Sequence, residues 1–291
     1  MLLTRVLTAA AVLIVLSGVA WWSPPAGFDL LLLFILALAC MEWMRLLGLT
    51  SRGSAVIGIG FLGLGSLALW TVPSVMATTH GIGFGVMPLY GFAVVVWVLA
   101  VPIAVARHVG IGGQRFAGRM VAIALCFAAW CALLQADGLG KGFLLSVLLI
   151  VWVADTAAYF AGRAFGRHKL APRVSPGKTW EGVAGALIAN TALALVMAHL
   201  TSVSATHPAG NLFSFIAMHL GLAMMIVITI MLTLISVMGD LYESLIKRLA
   251  NVKDSGRLLP GHGGVLDRID ALLAVFPVTM ALVSLIQSGA V

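Results

Sequence analysis

Nine apolar runs, each near the length a helix needs to cross a bilayer, constrain this chain more than any other feature. They fall at 6–22, 30–47, 55–76, 88–106, 119–135, 142–160, 182–200, 213–237 and 271–288. About 20 helical residues cover the hydrocarbon core, and the first and fifth runs are slightly short of that. Inside lipid a backbone must satisfy its own hydrogen bonds, so each run is expected to be helical. The fold class that follows is an all-α polytopic membrane protein with about nine transmembrane helices. Composition agrees, since 62% of residues are hydrophobic and 9% charged, whereas soluble domains are about half apolar and a quarter charged. Pro73, Pro88, Pro102 and Pro277 lie in or at the ends of runs and read as kinks or boundaries. Arg5 and the apolar run behind it imitate a signal peptide. Gly18-Val19-Ala20 is a poor cleavage site, however, and Trp21-Trp22 suits an interfacial anchor, so an uncleaved first span is expected.

The bases fix an orientation. With the N-terminus inside, all of the 17 Lys and Arg residues except Lys141 fall on the inner side. That asymmetry is what the positive-inside rule predicts, and it places the C-terminus outside. It also accounts for the net charge of +7 without a nucleic-acid partner, because the bases are spread over loops. Cys40, Cys126 and Cys131 all sit in apolar runs with no metal-ligand spacing. No linker or repeat divides the chain. The expectation is a single transmembrane domain over 1–291, with 1–140 a helical bundle and 141–291 the region that carries chemistry.

The segment Gly239 to Asp270 holds half of the ten acids in the chain, interleaved with five bases: Lys247, Arg248, Lys253, Arg257 and Arg268. If the preceding span continues as a helix, Asp240, Glu243, Ser244, Lys247 and Arg248 share one face. Asp267 and Asp270 share a face if the last span begins there. Between them Pro260, Gly261, Gly263 and Gly264 surround His262 in a stretch that must turn and can bring backbone N–H groups to a ligand. Carboxylates and cations mixed beside a membrane fit a site for a metal ion and phosphates together. A solvated charged loop with i,i+4 pairs fits the composition equally well.

The pattern is more specific than the composition. Ser244, Lys247-Arg248, Lys253-Asp254, Gly256, Leu259-Pro260, His262-Gly263-Gly264 and Asp267-Arg268-Ile269-Asp270 resemble the C-terminal signature of the phosphatidate cytidylyltransferases, with every place filled. A second stretch, from Asp155-Thr156-Ala157-Ala158-Tyr159-Phe160 through Gly162-Arg163 to Ser175-Pro176-Gly177-Lys178-Thr179 and Glu181-Gly182, is similar to the upstream region of that family. Asp155 stands at the edge of the sixth span, where an ionisable group is a functional candidate in its own right, and shares a helical face with Tyr159 and Gly162. Gly177-Lys178-Thr179 is not a Walker A loop, because Pro172 occupies the first glycine's place and no strand is expected before it. The basic run from Arg163 to Lys178 can equally be a juxtamembrane loop that sets topology.

The resemblance implies transfer of CMP from CTP to phosphatidic acid, with CDP-diacylglycerol and pyrophosphate as products. It implies Mg²⁺ as cofactor, with room for a second cation, and Asp240, Asp267 and Asp270 as the metal ligands. Lys247, Arg248, Lys253 and Arg268 would neutralise the triphosphate, and His262, Gly263 and Gly264 would wrap it with backbone donors. Ser175, Lys178, Ser244 and Asp254 complete the substrate-binding set, with Asp254 outside the metal shell. The partners expected are CTP, phosphatidic acid and membrane lipids, with a homodimer as a candidate assembly. The expected location is the bacterial inner membrane, with the site facing the cytoplasm. Glu42, beside Trp43 and Arg45, reads as one half of an interfacial ion pair. A transporter would carry charges near the midplane, often in repeated halves, and neither feature is found. A related enzyme that phosphorylates a polyprenol with CTP stays open.

Overall fold

The computed structural model describes residues 14–15, 17–22, 24–71, 84–112, 116–202, 210–261 and 263–290. Eight helices among them are long and apolar enough to cross a membrane. These are α1 (Pro25–Leu46), α2 (Ser51–Thr71), α3 (Met87–Arg107), α4 (Phe116–Gly138), α5 (Lys141–Phe165), α6 (Trp180–Ser202), α7 (Leu212–Leu249) and α8 (Leu266–Gln287). They coincide with the second to ninth expected spans. Most of the first span lies outside the described residues, as do Pro73 and His262. A two-stranded antiparallel hairpin, β1 (Lys169–Ala171) and β2 (Ser175–Thr179), joins α5 to α6.

Local chemistry sets several of the ends. Pro88 falls in the first turn of α3, where its missing N–H costs nothing. Asn211 caps α7 through a reciprocal pair with Ser214, its Oδ1 accepting from the Ser214 N–H at 2.9 Å. Within α3, Val96–Ala100 forms a π-helical turn just ahead of Pro102, whose ring and missing N–H disturb the regular ladder there. Pro277 is accommodated inside α8.

The most buried span is α8, which packs against α7, α4, α3, α5 and α1. By contrast α2 and α6 are peripheral, with most of their surface open to the surrounding lipid. One connected set of buried apolar residues runs from Phe28 on α1 to Ile286 on α8. Small residues bring α5 and α6 together, with a Cβ on Gly182 or Gly185 landing 2.9 Å from the Ala158 oxygen or 2.4 Å from the Ala161 Cβ. All three cysteines are free and buried, so they are core residues.

The helices alternate in direction, so every described base except Lys141 lies at one end of the bundle. Contacts knit that end together. Arg119 donates to the Leu47 oxygen at 3.3 Å, the Ile111 N–H to Tyr242 Oη at 3.3 Å, and Arg248 Nε to the Val174 oxygen at 3.4 Å. At the other end Lys141 pairs with Asp137 at 2.6 Å and lies 4.0 Å above the Phe28 ring.

Helix α7 explains how the chemistry reaches the surface. Gly221 breaks it with φ 83° and ψ 165°, and the part from Leu222 to Leu249 is about 42 Å long at 1.5 Å per residue. A hydrocarbon core is about 30 Å thick, so the C-terminal turns project beyond it. Asp240 lies about 27 Å along this part. Glu243, Lys247 and Arg248 follow on the emerging turns.

The hairpin differs from the basic loop that the sequence suggests, and it puts a strand before Lys178. Its strands are short and irregular in register, with Pro176 tolerated because both strands of a two-stranded sheet are edges. The hairpin is held by Val174, which is buried, and by the Trp180 N–H, which donates to the His168 oxygen at 2.9 Å. Thr179 caps α6, its Oγ1 accepting from the Gly182 N–H at 3.1 Å.

Candidate active site

A cavity of about 410 Å³ opens between α5, the hairpin, the start of α6 and α7. Its polar lining comes from Asp155, Tyr159, Arg163, Ser175, Lys178 and Asp240, a size and mix suited to a small polar ligand. The face of α5 carrying Asp155, Tyr159 and Gly162 looks into it. Arg163 donates to Tyr159 Oη at 3.2 Å, and Lys178 reaches across from β2 to Asp240 at 2.7 Å. Ser244 Oγ stands 3.5 Å from the other Asp240 oxygen.

Behind Asp240 the carboxylates converge. Asp240, Glu243 and Asp270 each offer an oxygen, all within 4.8 Å of one another. Helices α7 and α8 can approach this closely because residue 239 is glycine, since a Cβ there would meet the Ala271 Cα at 2.9 Å. Asp155 is near enough to feel the charge of Asp240 and Asp270, and Lys178 and Arg268 act on it in the opposite sense. Two unit charges 4.8 Å apart repel by about 3–4 kcal/mol at an effective dielectric near 20. Among the described residues, Asp155, Asp240, Glu243, Asp267 and Asp270 formally face Lys178, Lys247 and Arg268. The deficit of two positive charges is that of one divalent cation. Oxygen-only donors at this spacing fit Mg²⁺. Both Glu243 oxygens are buried without a well-formed hydrogen bond, although the Lys247 ammonium rests against Oε2.

Asp267 differs from the expected ligand set. It meets the group only at its edge, through Glu243 and Lys247. Its Oδ1 takes the Lys247 ammonium at 2.7 Å, while Oδ2 accepts from the Ser255 N–H at 2.9 Å and the Gly264 N–H at 2.7 Å. The physical reason is local. Residue 267 begins α8 and faces back to Ser255 and Gly264, whereas Asp270 lies one turn deeper, beside α7. Glu243, and not Asp267, belongs to the group whose oxygens lie within 4.8 Å of one another. Its position on the shared face of α7 is legible in the sequence; its proximity to Asp270 depends on helix packing.

The remaining signature residues are distributed around this centre. Lys247 bridges Glu243 and Asp267. Arg248 is turned to the hairpin backbone. Lys253, Asp254 and Arg268 are exposed. Gly263 adopts φ +87° and its oxygen accepts from the Leu259 N–H at 3.0 Å. The Gly264 amide, expected to be a donor to a ligand, is already given to Asp267. Ser175 and Lys178 sit on β2 and line the cavity.

Glu42 is no interfacial pair. It is fully buried, and Oε2 accepts from Ser255 Oγ at 2.9 Å and the Leu266 N–H at 2.8 Å. Its neighbour Arg45 donates instead to Ser54 Oγ at 3.2 Å. Only the contact between α1 and the distant loop reveals this role, and no local pattern signals it.

Comparison with known proteins gives the relatives of this chain. The profile described as Cytidylyltransferase family matches residues 3–286. The chain is 36% identical over 286 residues to a phosphatidate cytidylyltransferase of Pseudomonas aeruginosa, covering 97% of both chains. It is 32% identical over 227 residues to one from Bacillus subtilis, 78% of both. With one from Haemophilus influenzae it shares 49% identity over 138 residues, 47% of this chain and 44% of the relative.

Proposed function

The chain belongs to the cytidylyltransferase family, and from that premise we propose that its site joins CTP to phosphatidic acid. The products are CDP-diacylglycerol and pyrophosphate. A phosphate oxygen of the lipid attacks the α-phosphorus of CTP, the new P–O bond forms, and the bond to the bridging oxygen of the departing pyrophosphate breaks. Both reactants are anions, so the first barrier is repulsion. Lys178, Lys247 and Arg268 supply positive charge around the carboxylate group, with Lys253 and Arg248 nearby in the chain. A protein nucleophile is not required, because the lipid phosphate is already ionised.

Asp240, Glu243 and Asp270 would hold Mg²⁺, a second cation being accommodated by Asp155. When bound, the metal would offset phosphate charge and polarise the phosphoryl oxygens. The protein's own part is positioning. Lys178 ties Asp240 to the hairpin, Lys247 ties Glu243 to Asp267, and the cavity walls hold the acceptor out of bulk water. Tyr159 in the cavity wall and Phe160, Phe165 and Trp180 on α5 and α6 are exposed aromatics, which supports entry of the lipid sideways with its acyl chains still in the bilayer. CTP would come from water over the loop. The distribution of bases supports a site on the cytoplasmic face of the inner membrane, with the C-terminus outside. A homodimer is part of the same proposal, tested by the mass of the detergent-solubilised particle.

The observation that carries this reading is the carboxylate group beside a cation-lined cavity, at the base-rich end of the bundle. Its test is a micelle assay with labelled CTP. CMP should enter lipid only when phosphatidic acid and Mg²⁺ are present, with release of pyrophosphate. Formation of CDP and a phosphorylated lipid alcohol would make the protein a kinase and end the proposal.

A further inference from the structure

Two observations converge on Glu42, which lies 213 residues from Ser255 in the chain yet touches it. First, its carboxylate completes α8. The N-cap position of that helix is Val265, which has no side-chain acceptor to offer, so the N–H groups of the first turn need a partner from elsewhere. Glu42 Oε2 takes the Leu266 N–H from another helix, and its negative charge suits a helix N-terminus. Second, the loop is shaped around it. A Cβ on Gly256 would lie 2.2 Å from Glu42 Oε1, and one on Gly264 2.3 Å from Oε2. Two glycines of the signature are thus matched to this one side chain.

Asp267 and Glu42 form a double clamp on the same loop. Asp267 holds the backbone of Ser255 and Gly264, while Glu42 holds the side chain of Ser255 and the backbone of Leu266. The clamped segment ends one turn before Asp270. We infer that Glu42 is a positioning residue for the transfer reaction. It touches no substrate, but it fixes Ser255 and the stretch from Gly264 to Leu266 against the N-terminal half of the bundle, and through Asp267 it holds Lys247, one of the cations for the CTP triphosphate. This inference rests on the function proposed above.

Two readouts test it, using the full chain in detergent. In Glu42→Ala, the amides of Ser255, Gly264 and Leu266 should exchange with deuterium at least about tenfold faster, the effect of losing charge-assisted hydrogen bonds. KM for CTP should rise at least about tenfold, while KM for phosphatidic acid, which binds against α5 and the hairpin, changes less than about twofold. A merely structural defect would reduce the amount of active enzyme and leave both KM values alone. Glu42→Gln keeps an acceptor oxygen and should recover most of the loss. Ser255→Ala removes a single donor and should shift KM for CTP the same way by severalfold, which provides the test if Glu42→Ala does not fold. Unchanged exchange in the loop, or an unchanged KM for CTP in a folded variant, overturns the inference. Wild-type protein that transfers no CMP to phosphatidic acid overturns the function instead, and the exchange measurement then still decides whether Glu42 clamps the loop.

Discussion

Asp267→Asn exchanges one oxygen for an amide at a side chain that is 6% exposed. If the remaining oxygen stays on the Ser255 and Gly264 N–H groups, the new NH₂ points at the Lys247 ammonium, donor against donor. Turned over, it points at two backbone donors instead. In the second orientation the two backbone bonds are lost; in the first the ammonium contact is lost, and a hydrogen bond to a charged group contributes about 1.5–3 kcal/mol. The two backbone bonds also weaken, since neutral bonds are roughly half as strong as charge-assisted ones. A total near 2–3 kcal/mol corresponds to a fall of about thirty- to hundred-and-fiftyfold in kcat/KM for CTP. The assay is labelled-CTP turnover at fixed phosphatidic acid over a wide range of Mg²⁺. Because Asp267 anchors a loop, raising Mg²⁺ should restore little. Recovery of most of the activity at high Mg²⁺ would make Asp267 a metal ligand and refute the anchoring argument, and near-normal turnover at low Mg²⁺ would refute both roles.

Asp240→Asn should behave oppositely, losing at least about a hundredfold in turnover at low Mg²⁺ and regaining part of it as Mg²⁺ is raised; a loss insensitive to Mg²⁺ would exclude it from the metal group. Gly264→Ala should abolish activity, because the added methyl would sit 2.1 Å from Ser255 Oγ and 2.3 Å from Glu42 Oε2, and normal kinetics would show that the loop does not hold this geometry. A reporter inserted near Gly256 should read as cytoplasmic and one fused after Val291 as external; two reporters on the same side would mean that the spans are miscounted.

The sequence by itself determined the helices, their number among the described residues and the segregation of bases to one end. These are local or compositional properties, because a backbone in lipid can satisfy its hydrogen bonds only within its own segment. It also supplied the residue types of the site and the shared face of Asp240, Glu243, Ser244, Lys247 and Arg248, since α7 continues unbroken through them. What only the tertiary structure decided is which of those groups meet. Asp270 joins Asp240 and Glu243 because Gly239 lets α7 and α8 touch, whereas Asp267, three residues earlier, turns to the loop. The hairpin before α6 escaped the sequence because its two short strands are stabilised by each other and by Arg248, not by any periodicity. Glu42 shows the limit most clearly. In sequence it is one acid beside an arginine, and its acceptors' partners lie more than 200 residues away, so its meaning exists only once α1 is packed against the start of α8.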